Sequence, residues 1–157
     1  MPKLSVVLAT RNEEKNIRPC LESVKDIADE IVVVDEESTD KTVSIAKSYG
    51  ARIYTVKHEP IFHVTKQKAL DFARGDWILQ LDADERVTPQ LAKEIREVVE
   101  MDYKELMGRR IDEPQRLKLF KKHQQLVEQR DGKIGRETGE IVAFFVPRLN
   151  FFLGKPL

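Results

Sequence analysis

The feature that most constrains the fold is an alternation, repeated four times, between short apolar segments and amphipathic segments. The apolar segments are rich in β-branched residues, as expected for strands buried on both faces. They cover residues 4–9, 31–34, 52–56 and 77–81. Strands that alternate with helices over short connections predict an α/β domain with a mostly parallel sheet flanked by helices.

Capping residues and glycines mark the helix boundaries in the same stretch. We expect Asn12 to cap the first helix and Gly50 to end the second. The third helix is predicted over residues 64–73. Thr88 followed by Pro89 indicates the start of the fourth, with an N-cap and then proline at the first helical position.

Composition excludes several classes of protein. The 157-residue chain has 27 Lys and Arg and 27 Asp and Glu, so its net charge argues against a nucleic-acid partner. The single cysteine, Cys20, excludes an internal disulfide. No apolar run approaches the roughly 20 residues of a membrane helix, and the N-terminus is not a signal peptide. We therefore expect a cytoplasmic protein, with peripheral contact at the inner face of the membrane left open.

Polar side chains follow the predicted strands where each strand ends. These positions are Thr10, Arg11 and Asn12, then Asp35 and Glu36, and the acidic group of Asp82, Asp84 and Glu85. In open parallel sheets, ligands bind outside the carboxyl ends of the strands. The convergence of polar residues on one edge therefore predicts a binding site there.

The acidic group predicts a metal–diphosphate site. Because strand side chains alternate between faces, we expect Asp82 and Asp84 to point the same way and to repel each other. Mg²⁺ typically uses one or two carboxylates together with substrate phosphates, and would relieve that repulsion. The alternative is a solvated acidic turn stabilised by the positive end of the following helix.

The sequence changes character after about residue 100. Residues 101–140 are highly charged with a narrow apolar stripe, which predicts a charged helical insertion. Its outer face would be solvated or would lie on anionic lipid. Residues 141–146 and 149–153 predict two strands, and the apolar end of the chain favours a domain that is truncated at its C-terminus.

Three motifs resemble the family-two inverting glycosyltransferases of GT-A (Rossmann-like) fold: LSVVLATRNEE at 4–14, IVVVDEESTDKT at 31–42 and GDWILQLDADE at 75–85. The chain is most similar to the branch that includes lipopolysaccharide-core β-glucosyltransferases, and residues 147–155 resemble a downstream segment of it. The resemblance implies a nucleotide-sugar-binding core at 1–100 and the start of acceptor-side strands at 141–157. It also implies metal-dependent transfer of a sugar from a nucleotide-diphosphate sugar, a UDP-sugar by preference, to a cell-envelope glycan or lipid-linked glycan.

The same resemblance implies roles for individual residues. Asp84 would bind Mg²⁺ or Mn²⁺ directly, and Asp82 would contact the ribose, the metal or both. Asp35 would accept a hydrogen bond from the base, which the Thr10–Arg11 loop would also contact. Lys66 falls where the family often places a basic residue that faces the base or the phosphates. The motif departs from the family pattern at Glu37, where glycine is usual.

No catalytic base is identified from the sequence. Inverting transfer needs a carboxylate to deprotonate the acceptor hydroxyl. The resemblance implies that this residue lies near or beyond Leu157, and the nearest carboxylates, Glu137 and Glu140, belong to no motif. A binding-only nucleotide-sugar domain is therefore an alternative. A nucleotidyltransferase is another, although residues 9–14 lack the glycine-rich loop typical of that class.

Overall fold

The computed structural model describes residues 1–109 and, beyond them, residues 114, 117, 118, 121, 122, 125, 126, 129, 144, 146, 148, 150–152, 155 and 156. The chain forms two compact units, Met1–Glu100 and Met101–Leu157. In the described part of the chain, no helix is both long enough and apolar enough to cross a membrane.

Strands and helices alternate throughout the first unit. Its elements are β1 (Leu4–Thr10), α1 (Ile17–Glu22), β2 (Glu30–Asp35), α2 (Thr42–Ser48), β3 (Arg52–Thr55), α3 (Phe62–Asp71), β4 (Trp77–Leu81) and α4 (Pro89–Glu100). The four strands form one sheet in the order β3-β2-β1-β4, with every neighbouring pair parallel. The predicted α/β class, with a parallel sheet flanked by helices, is confirmed.

The central strand β1 is buried along its whole length and packs on both faces. Val6 and Leu8 join a core cluster with side chains of α1, α2 and α4. Val7 joins Val32 of β2 and Ala69 of α3 in a second cluster. Because successive side chains of a strand point to opposite faces, the apolar run of β1 supplies both cores. One face of the sheet is therefore covered by α1, α2 and α4, and the other by α3.

The pairing register places the carboxyl ends of the strands side by side. Thr10 of β1 lies opposite Asp35 of β2, and Leu8 lies opposite Leu81 of β4. The segment that starts at Asp82 therefore leaves β4 beside the end of β1. The predicted convergence of strand ends at one edge of the sheet follows directly from this register.

Two of the predicted helix boundaries are confirmed, whereas the predicted cap of the first helix is wrong. Pro89 is the first residue of α4 and Leu91 N donates to Thr88 Oγ1 at 3.2 Å, while Gly50 follows α2 with a φ of +74°. Asn12 does not cap α1, which begins only at Ile17. The reason is a competing contact, because the side chain of Asn12 is engaged by the loop after β2.

The third helix lies two residues earlier than expected, at Phe62–Asp71 rather than 64–73. Its N-cap residue, Ile61, is extended and makes no side-chain capping hydrogen bond. No polar capping residue therefore marks where the helix begins.

The second unit begins with α5 (Tyr103–Gly108). Asp102 and Glu105 cap the N-terminus of this helix in a reciprocal capping box. It also contains β5 (Phe151–Phe152) and β6 (Lys155–Pro156), which pair antiparallel. The predicted strand at 149–153 is thus represented by two residues. Most of the predicted charged insertion and the predicted strand at 141–146 lie outside the described residues.

Any larger residue at Gly75 is predicted to destabilise the fold, because Gly75 lies against the backbone of β1. An added Cβ would lie 2.7 Å from Lys3 O and 2.8 Å from Ser5 N, where real Cβ atoms are not found. We expect Gly75→Ala to lower the free energy of unfolding by about 2 kcal/mol, as overpacking does elsewhere, in urea titrations. Gly50→Asn is the control: nothing lies within 4 Å of its Cβ position, and Asn tolerates positive φ. Equal effects of the two substitutions would contradict the prediction.

Candidate functional site

The first part of the site is the contact between Thr10 and Asp35 at the ends of β1 and β2. Thr10 Oγ1 donates to Asp35 Oδ1 at 3.0 Å, and both residues are buried, Asp35 with only 1% of its surface exposed. Ser38 N donates to Asp35 Oδ2 at 2.8 Å, and Ser38 Oγ donates to Oδ1 at 2.5 Å. A carboxylate offers about four acceptor positions, so Asp35 retains capacity for one further donor.

The turn that follows Asp35 uses a left-handed residue. Glu37 has a φ of +53°, in the region where glycine has no steric penalty. Glu37, which stands where the family motif usually has glycine, thus adopts a conformation that glycine reaches without penalty. For a residue with a Cβ, that conformation costs roughly 1–2 kcal/mol.

The loops after β1 and β2 are joined by short polar side chains. Asn12, itself at φ +55°, donates from its N–H to Ser38 Oγ at 2.8 Å and accepts from Thr39 N at 2.9 Å through Oδ1. Glu13 N donates to Thr42 Oγ1 at 2.7 Å. These contacts fix the loop that carries Arg11, whose side chain is exposed.

The acidic group forms a turn rather than a continuation of the strand. β4 ends at Leu81, Glu85 N donates to Asp82 O at 2.9 Å, and Asp82 N donates to Glu85 Oε2 at 2.8 Å. Ala83 is buried, while Asp84 is exposed. The expectation that Asp82 and Asp84 share one face of a strand is therefore wrong, because the chain has already turned.

Asp82 is paired with Lys66 of α3. Lys66 Nζ lies 2.5 Å from Asp82 Oδ1, and the two side chains are 19% and 33% exposed. Apart from this ion pair, the buried Oδ1 has no hydrogen-bond partner among the described residues. The structure thus brings these two predicted residues into direct contact.

The residues of the acidic turn fit a divalent cation that is completed by a ligand. The buried Oδ1 of Asp82 already accepts a cation, the Lys66 ammonium, and Asp84 is open to solvent. Among the described residues, no group of three or more His, Cys, Asp or Glu side chains could hold a metal by itself. Both observations suit Mg²⁺ or Mn²⁺, which take one or two carboxylates and fill their other positions with phosphate oxygens and water.

The sequence placed Glu36 at the edge of the sheet with Asp35 but did not predict that its carboxylate would be buried. Glu36 is 1% exposed, and its carboxylate accepts from Thr65 Oγ1 of α3 and lies 2.6 Å from Nδ1 of His58. Glu36 lies within the motif at 31–42, but nothing in that motif indicates that the carboxylate is buried.

Both strand ends are therefore attached to adjacent residues of α3. Thr65 contacts Glu36 beyond β2, and Lys66 contacts Asp82 beyond β4. Because β1 lies between β2 and β4, these two anchor points are separated by about 10 Å, or two strand spacings.

Comparisons with known proteins agree with this architecture. Mannosyl-3-phosphoglycerate synthase from Rubrobacter xylanophilus superposes with a TM-score of 0.53 at 29% identity, covering 64% of this chain and 37% of that chain. S. aureus TarS (residues 1–349), solved in complex with UDP, superposes with a TM-score of 0.51 at 29% identity, covering 62% and 32%. The sheet is thus that of GT-A glycosyltransferases.

The family follows from the sequence match. The profile of glycosyl transferase family 2 matches residues 5–155, and the chain therefore belongs to that family. An uncharacterized glycosyltransferase of Rickettsia bellii is 46% identical over 93 residues, which are 59% of this chain and 31% of the relative. The match thus spans about a third of that relative's length.

The buried Glu36 predicts a specific loss of stability in acid. Burial raises its pKa, but the hydrogen bonds from Thr65 and His58 and the nearby Arg11 outweigh burial and hold the pKa below the ordinary 4.5. A lowered pKa in the folded state means that ionised Glu36 stabilises the fold above about pH 4.5, and that this stabilisation is lost as the pH falls through the folded value.

We expect Glu36→Gln to be less stable than the wild type at pH 7 and the difference to shrink by pH 3, in urea titrations at both values. Glu97→Gln, at an exposed position of α4, should change stability little at either pH. A difference for Glu36→Gln that is the same at both pH values would contradict the assignment.

Proposed function

We propose that the protein is a metal-dependent inverting glycosyltransferase that uses a nucleotide-diphosphate sugar, a UDP-sugar by preference. One observation carries the proposal: the buried Thr10–Asp35 pair and the acidic turn at Asp82 flank the end of the same central strand. The strand ends that carry Asp35 and Asp82 are roughly 10 Å apart, or two strand spacings. This separation suits a ligand with a base at one end and phosphates at the other. Membership of glycosyl transferase family 2 supports the reaction class.

The base end of the donor would lie at the loop after β1. Asp35 has one acceptor position left for a ring N–H, and Thr10 holds its carboxylate in place. Arg11 is exposed on a loop that is fixed by hydrogen bonds, so its planar guanidinium can stack on the base. The UDP complex of S. aureus TarS supports uracil as that base.

The phosphate end would lie at the acidic turn. Asp84, which is exposed, and Asp82 would hold Mg²⁺ or Mn²⁺, and Lys66 would contact the diphosphate. When bound, such an ion offsets the negative charge that develops on the leaving nucleoside diphosphate. Lys66 would stabilise the same charge through its ammonium group.

The acceptor half of the reaction is proposed from the family alone. We propose a glycan or lipid-linked glycan of the cell envelope, with lipopolysaccharide as one such acceptor, and a cytoplasmic site of action at the inner face of the membrane. We assign no catalytic base, and Glu137 and Glu140 lie outside the described residues.

Binding of UDP with Mn²⁺ tests the donor site without requiring turnover. At a ligand concentration 100 times its Kd, binding should stabilise the fold by about 2.7 kcal/mol and raise the Tm by roughly 5–10 °C. Asp84→Ala should abolish the rise, whereas Asp26→Ala, another exposed aspartate, should preserve it. The proposal would be sunk by wild-type protein whose Tm does not change with any nucleoside diphosphate plus Mn²⁺ or Mg²⁺.

Arg11 gives a separate test of the base end. Arg11→Ala should weaken UDP binding about fivefold, as expected for the loss of one stacking contact. Isothermal titration calorimetry at saturating Mn²⁺ measures the effect, with Arg18→Ala as the control at another exposed position. Equal UDP affinities in the two variants would place the base elsewhere.

A further inference from the structure

The ion pair between Lys66 and Asp82 joins the helix on one face of the sheet to the acidic turn. The Nζ–Oδ1 distance is 2.5 Å, and both side chains are at least two-thirds buried, with 19% and 33% exposed. A pair with this degree of burial is less screened than a surface pair. Lys66 therefore compensates the charge of Asp82 in the ligand-free protein.

Lys66 provides that compensation at Oδ1. Among the described residues, this buried oxygen has no hydrogen-bond partner besides the ammonium, whose charge therefore offsets its own. The other cation of the turn, Arg86, donates from Nη1 to the carbonyl oxygens of Ala83 and Glu85. Removal of Lys66 would thus leave a buried carboxylate oxygen available to another cation.

The position of Lys66 also allows it to leave Asp82 without leaving the site. Its Nζ lies 5.3 Å from the centroid of the Phe62 ring, one helical turn earlier on α3. The ring attracts the ammonium through a cation–π interaction that does not depend on Asp82. A lysine side chain has a long, freely rotating stem, so its ammonium can change partners while the helix stays in place.

We propose that Lys66 is an exchangeable counter-ion for Asp82. In the free protein it occupies the position of a cation at the acidic turn; when metal and diphosphate bind, it transfers from Asp82 to the diphosphate. The inference rests on the proposed function and adds a consequence for binding. A metal ion that binds alone displaces the Lys66 ammonium and leaves it without an anion. A metal ion that binds with a diphosphate brings a new anion for that ammonium.

This exchange couples the two ligands. The diphosphate should raise the affinity for the metal ion, because it offers the displaced ammonium a new anion. By thermodynamic linkage, the metal ion should raise the affinity for the diphosphate by the same factor. Lys66 would therefore oppose the binding of free metal and favour the binding of metal together with nucleotide. Lys66 therefore has opposite effects on the two equilibria, which a purely structural role would not produce.

The test compares two affinities in the wild type and in Lys66→Met. The affinity for Mn²⁺ alone is measured from free Mn²⁺ by electron paramagnetic resonance, and the affinity for UDP at saturating Mn²⁺ by calorimetry. We expect Lys66→Met to bind Mn²⁺ alone about tenfold more tightly and UDP about tenfold more weakly. Lys68→Met is the matched control on the same helix, because Lys68 pairs with Glu59 and should leave both affinities unchanged. Lys66→Gln, which retains a polar side chain, replaces Lys66→Met if circular dichroism shows that the latter does not fold.

The outcomes separate this inference from the proposed function. Tighter Mn²⁺ binding in the variant supports the counter-ion role even if UDP does not bind the wild type, a result that would refute the donor site alone. Unchanged, weaker or undetectable Mn²⁺ binding by the variant overturns the inference while UDP binding by the wild type still stands. UDP binding that is equally tight with and without metal also overturns it, since Lys66 would then remain in place permanently.

Discussion

The parallel pairing of β1 with both β2 and β4 is the interaction on which the rest of the structure depends. It buries all seven residues of β1 and supplies apolar side chains to the cores on both faces of the sheet. The same register sets Thr10 opposite Asp35 and brings Asp82 beside the end of the central strand. A displaced register would expose the apolar core and separate these polar groups at the same time.

Helix α3, which covers one face of the sheet, extends this arrangement to the loops. Ala69 of α3 packs in the core beneath the sheet, while Thr65 and Lys66 reach the ends of β2 and β4. Hydrophobic burial therefore fixes the helix, and the helix fixes two polar contacts at the candidate site. On the opposite face, Cys20 of α1 packs in the core beside the acidic turn, and burial raises the pKa of its thiol to about 12. That thiol stays protonated and acts as a small apolar side chain.

The candidate site is a set of carboxylates in different states of compensation. Glu36 is buried and satisfied by neighbouring donors, Asp35 is buried with one acceptor position left, Asp82 is paired with the Lys66 ammonium, and Asp84 is exposed. Buried charges persist only where partners offset their desolvation. This gradient separates the residues that shape the site from those with capacity left for a ligand.

The sequence by itself determined the strands, the class of fold and the edge at which polar residues meet. Apolar β-branched runs, the Thr88–Pro89 start of α4 and the glycine at position 50 act through local physics, and each appears where expected. The family motifs located the same strand ends. The predicted bounds of the third helix differ from the observed ones by two residues, because no capping side chain marks its start at Phe62.

Only the tertiary structure decided which polar groups meet. Asn12 is bound by the loop after β2 rather than by its own helix, and Glu36 is paired with residues more than 20 positions away. The acidic turn likewise depends on Glu85 folding back onto Asp82, with Lys66 arriving from another helix. A periodic pattern specifies which face of an element is buried, but contacts between distant loops exist only once the sheet has brought its strand ends together.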